Sequence, residues 1–107
     1  MIGYTTLGTN DFEQSGKFYD NLLAELGARR VMEDDHIIIW SNKPKSAMFS
    51  VIKPHNGQPA TVGNGTMVAL VVKDLATIES LHSKALELGA TCEGAPGPRG
   101  DNMNFGY

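Results

Sequence analysis

Residues 6–28, TLGTNDFEQSGKFYDNLLAELGA, and residues 69–90, ALVVKDLATIESLHSKALELGA, follow one plan. Each has an apolar run, an Asp, a helix-like run and the closing tetrapeptide Glu-Leu-Gly-Ala. Glu25-Leu26-Gly27-Ala28 and Glu87-Leu88-Gly89-Ala90 lie 62 residues apart, and Asp11 and Asp74 lie 63 apart. One small unit is therefore used twice, and a duplicated fold makes a cleft between its copies.

Working outward from the first Asp, Ile2 to Thr9 reads as a strand. Alternation places Ile2, Tyr4, Thr6 and Gly8 on one face and Gly3, Thr5, Leu7 and Thr9 on the other. Asn10-Asp11 supply side-chain oxygens for a helix cap; with Asn10 as the cap, Glu13 completes a capping box. Phe12, Phe18, Tyr19, Leu22, Leu23 and Leu26 recur at helical spacing, and Gly27 ends the helix. Three strands are predicted next, at Arg29–Glu33, His36–Ser41 and Ala47–Lys53. Asp34-Asp35 and Asn42–Lys45 form the turns between them, and Pro54 closes the last. The first unit is β-α-β-β-β. Residues 55–65 form a connector rich in Gly, Pro and Asn.

In the second copy Thr66 to Lys73 is predicted as a strand and Asp74 as a cap. The helix from Leu75 to Leu88 is expected to bury Leu75, Ile78, Leu81, Ala85 and Leu88. Ala90 to Glu93 and Met103 to Tyr107 read as further strand starts, separated by a Gly/Pro loop. From Ala90 only 17 residues remain, against 26 from Ala28 to Pro54. The second unit is thus expected to lack its last strands, either because the chain is cut short or because a partner chain completes it.

The chain has 107 residues, 41% apolar and 20% charged, which fits one domain or two half-domains sharing a core. A formal net charge of −3, with no basic cluster larger than Arg29-Arg30, excludes a nucleic-acid surface. No apolar run reaches membrane-spanning length, and no signal peptide is read at the start. The single cysteine, Cys92, forms neither an internal disulfide nor a cysteine metal cluster; it reads as a small apolar strand residue. A reducing, cytoplasmic location is expected.

With its two strand–Asp–helix–Leu-Gly-Ala units, the chain resembles the glyoxalase/bleomycin resistance/dioxygenase superfamily, the vicinal oxygen chelate proteins. Ile2-Gly3-Tyr4, Asn10-Asp11, Phe18-Tyr19 through Leu22–Gly27, and Gly63-Asn64-Gly65-Thr66-Met67-Val68-Ala69-Leu70 carry the resemblance, which extends over the whole chain. It implies an α+β fold in which two βαβββ modules form a cup-shaped mixed sheet with helices outside. The modules would be residues 1–54 and 66–107, the second incomplete.

The resemblance further implies that enzymatic members bind a divalent metal through His, Gln or Glu on the first and last strand of each copy. Carried onto this chain, those positions fall at Tyr4, Met67 and Ser50, with the fourth beyond Tyr107. Neutral phenol, thioether and serine hydroxyl are poor ligands for the usual divalent ions. No metal or other cofactor is therefore expected, and the cup is read as a small-molecule pocket lined by Tyr4, Thr6, Met48, Ser50, Met67 and Ala69. Trp40 reads either as sheet or interface packing or as a stacking platform in that pocket; strand pleat does not choose its face. His36, His55 and His82 read as surface or half-buried histidines, and Asp34-Asp35 as turn carboxylates. The expected function is metal-free binding of an apolar or aromatic ligand, of bleomycin-resistance type, by a homodimer. The alternative is a metal-dependent glyoxalase-like lyase, epimerase or dioxygenase, with ligands from a partner chain or a further C-terminal strand.

Overall fold

A computed structural model describes residues 1–100. The chain divides into two compact units, Met1–Ala69 and Leu70–Tyr107. The first contains β1 (Tyr4–Gly8), α1 (Phe12–Ala24), β2 (Arg29–Glu33), β3 (Ile37–Ser41) and β4 (Met48–Ile52); the second contains α2 (Leu75–Glu87). The four strands form one mixed sheet in the order β1-β4-β3-β2. β1 runs parallel to β4, while β3 is antiparallel to both β4 and β2. This is the predicted β-α-β-β-β unit, and the helix supplies the crossover that later lets β1 and β4 lie parallel.

The repeated sequence plan becomes the same pair of helix ends twice. Asp11 accepts from Gln14 N at 3.1 Å, and Asp74 accepts from Thr77 N at 2.8 Å. Each carboxylate thus satisfies an amide that a helix start leaves unpaired. Asp74 also takes the Thr77 hydroxyl, and these bonds hold its carboxyl below the usual range. At the other ends, Ala28 N reaches Leu23 O and Gly27 N reaches Ala24 O; Ala90 N reaches Ala85 O and Gly89 N reaches Leu86 O. This is the Schellman bonding pattern in both copies. It requires a left-handed residue, supplied by Gly27 at φ 71° and Gly89 at φ 100°.

Asn10 does not cap α1. Its side chain instead accepts from Ala60 N at 2.7 Å and donates to Ala60 O at 2.9 Å, clamping the following loop to the end of β1. Without the Asn10 cap there is no capping box, and Glu13 pairs with Lys17 one turn along.

The core lies between α1 and one face of the sheet. Leu23, Ile38, Trp40, Phe49 and Val51 are buried there, with Leu7, Phe12, Tyr19, Leu26, Ala28 and Val68 packed around them. Tyr19 stacks at tilted angles on Phe49 and Trp40, with centroids 4.6 and 5.8 Å away, and burial pushes its phenol pKa up. Polar ties accompany this packing. Asp20 on α1 accepts from Arg30 Nε and Nη2 at 2.8 and 2.7 Å and from Trp40 Nε1 at 2.8 Å. Arg30 lies over the Trp40 ring and also pairs with Glu33. Gly16 is the buried contact point of α1: a Cβ there would meet Arg30 Nη2 at 2.8 Å and Ile38 Cδ1 at 3.0 Å.

Some predicted elements do not form. Residues 66–73 and 90–93 make no strand, because strand geometry is held by a ladder partner and no described segment supplies one. Met67 and Val71 consequently stand exposed. α2 buries none of its stripe completely: Leu75 is exposed, and Ile78, Leu81, Ala85 and Leu88 are half-buried. β1 starts at Tyr4 rather than Ile2, which is exposed. The strand start expected at Met103–Tyr107 lies outside the described residues.

Two outcomes follow from these contacts. Replacing Gly27 by Ala places a Cβ in open space but forces a left-handed alanine, so urea denaturation should show a loss of about 1 kcal/mol. Asp20 has its carboxyl pKa lowered, chiefly by the Arg30 hydrogen bond. Between the folded and unfolded pKa values the unfolded chain binds more protons, so stability rises with pH there. The contribution is present above the unfolded carboxylate pKa and is lost as pH falls through the folded one. Asp20→Asn should therefore cost about 1 kcal/mol at pH 7, a hydrogen-bond value discounted for the partial exposure of the pair. The gap from the parent should narrow as pH falls through the lowered carboxyl pKa in paired denaturation curves.

Candidate functional site

The sheet has a second face, turned away from α1, and strand pleat assigns its residues. Ile38, Trp40, Phe49, Val51 and Leu7 point to the helix. Their alternates, Ile37 and Ile39, Met48, Ser50 and Ile52, and Tyr4 and Thr6, point the other way. Ladder register then sets them in rows. Tyr4 pairs with Met48, and Thr6 with Ser50. Ser50 pairs in turn with Ile39, and Ile39 with Met32 beyond a bulge at Arg30/Met32. The central row thus runs Thr6, Ser50, Ile39, Met32, two hydroxyls followed by two apolar side chains.

The hydroxyls are bonded to each other. Ser50 is completely buried, at 0% exposure. Its Oγ donates to Thr5 O at 3.0 Å and lies 2.7 Å from Thr6 Oγ1. Ser50 has one proton, already used on the carbonyl, so Thr6 is the donor to Ser50. Thr6 is exposed and offers only acceptor lone pairs outward. Tyr4, 56% exposed, carries the adjacent phenol, which has no partner among the described residues. The patch therefore presents one free donor beside one acceptor, in a setting of methionine and isoleucine.

Of the residues expected in a pocket, Tyr4, Thr6, Met48 and Ser50 share this face. Trp40 does not: it is 1% exposed, points to α1 and bonds Asp20, so the stacking alternative gives way to core packing. Met67 is 84% exposed and Ala69 is exposed, in a segment without strand structure. Ile39 and Met32 belong to the face but escaped the sequence reading. The isoleucine run hid the pleat of Ile39, and the bulge shifted Met32 by one residue relative to simple alternation.

Serine at position 50 is sealed beneath Thr6 and bonded to a backbone carbonyl, Tyr4 presents a neutral phenol, and Met67 a thioether. These donors do not fit a divalent-metal site of His, Gln and Glu ligands. Among the described residues, no three His, Cys, Asp or Glu side chains cluster to hold a metal. His36 and His55 are exposed, and Asp34 accepts from His36 N and Ile37 N in a turn, bonds that lower its carboxyl pKa.

The structure is similar over 92% of the chain to a crystal structure of a glyoxalase/bleomycin resistance protein from Albidiferax ferrireducens T118. The TM-score is 0.82, with 33% identity and 82% of that chain covered. The chain belongs to the glyoxalase/bleomycin resistance family. The bleomycin resistance determinant encoded on transposon Tn5 shares the fold, with a TM-score of 0.55 at 18% identity over 92% of this chain and 73% of that one. No family model matches the sequence, and no curated protein matches it significantly. Among the described residues, no helix is long and apolar enough to cross a membrane.

The hydroxyl chain gives a direct test. Ser50→Ala removes the donor to Thr5 O and the acceptor for Thr6 while changing little volume. Thermal and urea unfolding should show a loss of about 1 kcal/mol, and Thr6→Val should cost less, because Thr6 is exposed.

Proposed function

We propose that this family member is a binding protein of bleomycin-resistance type that takes a small apolar or aromatic molecule on the sheet face of Tyr4, Thr6, Met48 and Ser50, without a metal ion. Met67 and Ala69 complete the lining from the second copy, the modules being residues 1–54 and 66–107 with the connector 55–65 between them. The observation that carries this reading is the donor set: at the positions where the family resemblance implies metal ligands, this chain has Tyr4, Ser50 and Met67. Apolar side chains around two polar contacts are the usual make-up of a small-molecule site. Tyr4 donates to a ligand acceptor, and Thr6 accepts from a ligand donor next to it. The protein acts as a homodimer, which supplies pairing for the exposed β-prone run at 66–73. A lone, unpaired cysteine supports a cytoplasmic location.

Calorimetric titration with bleomycin and with a panel of small aromatic compounds tests the reading. Tyr4→Phe keeps the ring and removes the hydroxyl, so affinity for a bound compound should fall by about 0.5–1.5 kcal/mol with fold stability nearly unchanged. A thermal shift produced by Mn²⁺, Ni²⁺ or Zn²⁺ alone would overturn the metal-free reading. Light scattering of a monomer at high micromolar concentration would overturn the dimer.

A further inference from the structure

The chain's one cysteine is not a packed strand residue. Cys92 is exposed and lies outside any strand, beyond the Schellman turn that ends α2. That turn, made possible by Gly89 at φ 100°, folds the chain back along the helix it has just left. Cys92 Sγ thereby comes within 3.3 Å of Nε2 of His82, a half-buried residue on α2. An exposed thiol contributes little packing. Here it stands at hydrogen-bond distance from an imidazole, the side chain best suited to exchange its proton near neutral pH.

We propose that Cys92 and His82 form a nucleophilic pair that captures small soft electrophiles of the α,β-unsaturated carbonyl class. The thiolate, not the thiol, is the attacking species, and an adjacent base is one way to generate it. With Nε2 unprotonated, the thiol donates its proton to His82. A sulfur electron pair forms the bond to the β-carbon of the electrophile. The carbon–carbon π pair moves toward the carbonyl as an enolate, which takes the proton back from the imidazolium at its α-carbon. The product is a thioether with neutral imidazole restored, and no oxidant or reductant enters. Both residues belong to the second unit, whereas the sheet that carries the face proposed for the ligand belongs to the first.

N-ethylmaleimide is the probe, and intact mass spectrometry is the readout. With one cysteine in the chain, a single adduct reports on Cys92. At pH 7 the parent should react roughly tenfold faster than His82→Gln, less than the usual ~100- to 10,000-fold of a general base because the pair is open to water. Glutamine retains a hydrogen-bonding amide but cannot take up the proton. Added imidazole should accelerate His82→Ala and leave the parent unchanged. Equal rates for the parent and His82→Gln, with matching circular dichroism, would overturn the proposal. Should that variant not fold, a parent rate no higher than that of N-acetylcysteine under the same conditions would overturn it instead.

Discussion

One carboxylate fixes the helix to the sheet. Asp20 leaves α1 and receives three N–H groups, two from Arg30 on β2 and one from Trp40 on β3. A single acidic group thus ties the helix to two strands and satisfies the only polar side-chain atom of Trp40, the most buried aromatic among the described residues. The two-point fork on Arg30 sets direction as well as attraction. Gly16 lets the same arginine pass beneath the helix, where any Cβ would collide with it. Once α1 is seated this way, Trp40 has no freedom to serve the opposite face.

That commitment of Trp40 sets the character of the other face. A strand has a side-chain period of two, so the face that takes Ile38, Trp40, Phe49 and Val51 cannot take Ile39, Met48 and Ser50. The aromatic weight of the sheet goes to the core. The open face receives methionine, isoleucine and hydroxyls, with Tyr4 at its edge. Methionine adapts its shape to varied apolar surfaces, which fits the contour-selecting site proposed for this face.

Much of the first unit was legible in the sequence because its signals are local. β2 lies at its predicted bounds, and the repeated Asp and Leu-Gly-Ala elements turned into matching caps at both helices. Each of those features is decided by a few neighbouring residues. What was not legible depends on partners far along the chain. Thr66 to Lys73 has every local mark of a strand, yet without a ladder it forms none. Three consecutive isoleucines carry no alternation from which to assign faces, so the side taken by Trp40 waited on the distant Asp20. Asn10 looked like a cap but is held by Ala60, 50 residues away. The His82–Cys92 contact is likewise invisible until the glycine turn between them is seen to reverse the chain.

The hydroxyl chain leaves the face neutral and yet directional. Ser50 spends its proton on Thr5 O, and Thr6 spends its own on Ser50, so the direction of both bonds is fixed by a backbone carbonyl. A buried hydroxyl with no partner would be costly, and pairing the two removes that cost. The result is a preset polarity: acceptor at Thr6, donor at Tyr4, and no formal charge on either. A charged site would attract any ion of opposite sign over several ångströms, whereas neutral groups act only at contact. Under the proposed function, recognition on this face would rest on matching shape to Met48 and Met32 while meeting one donor and one acceptor in the right order. Under that same proposal, a compound that fits the apolar contour but reverses the order would leave both groups unpaired, and the cost of unpaired groups would separate it from one that pairs them.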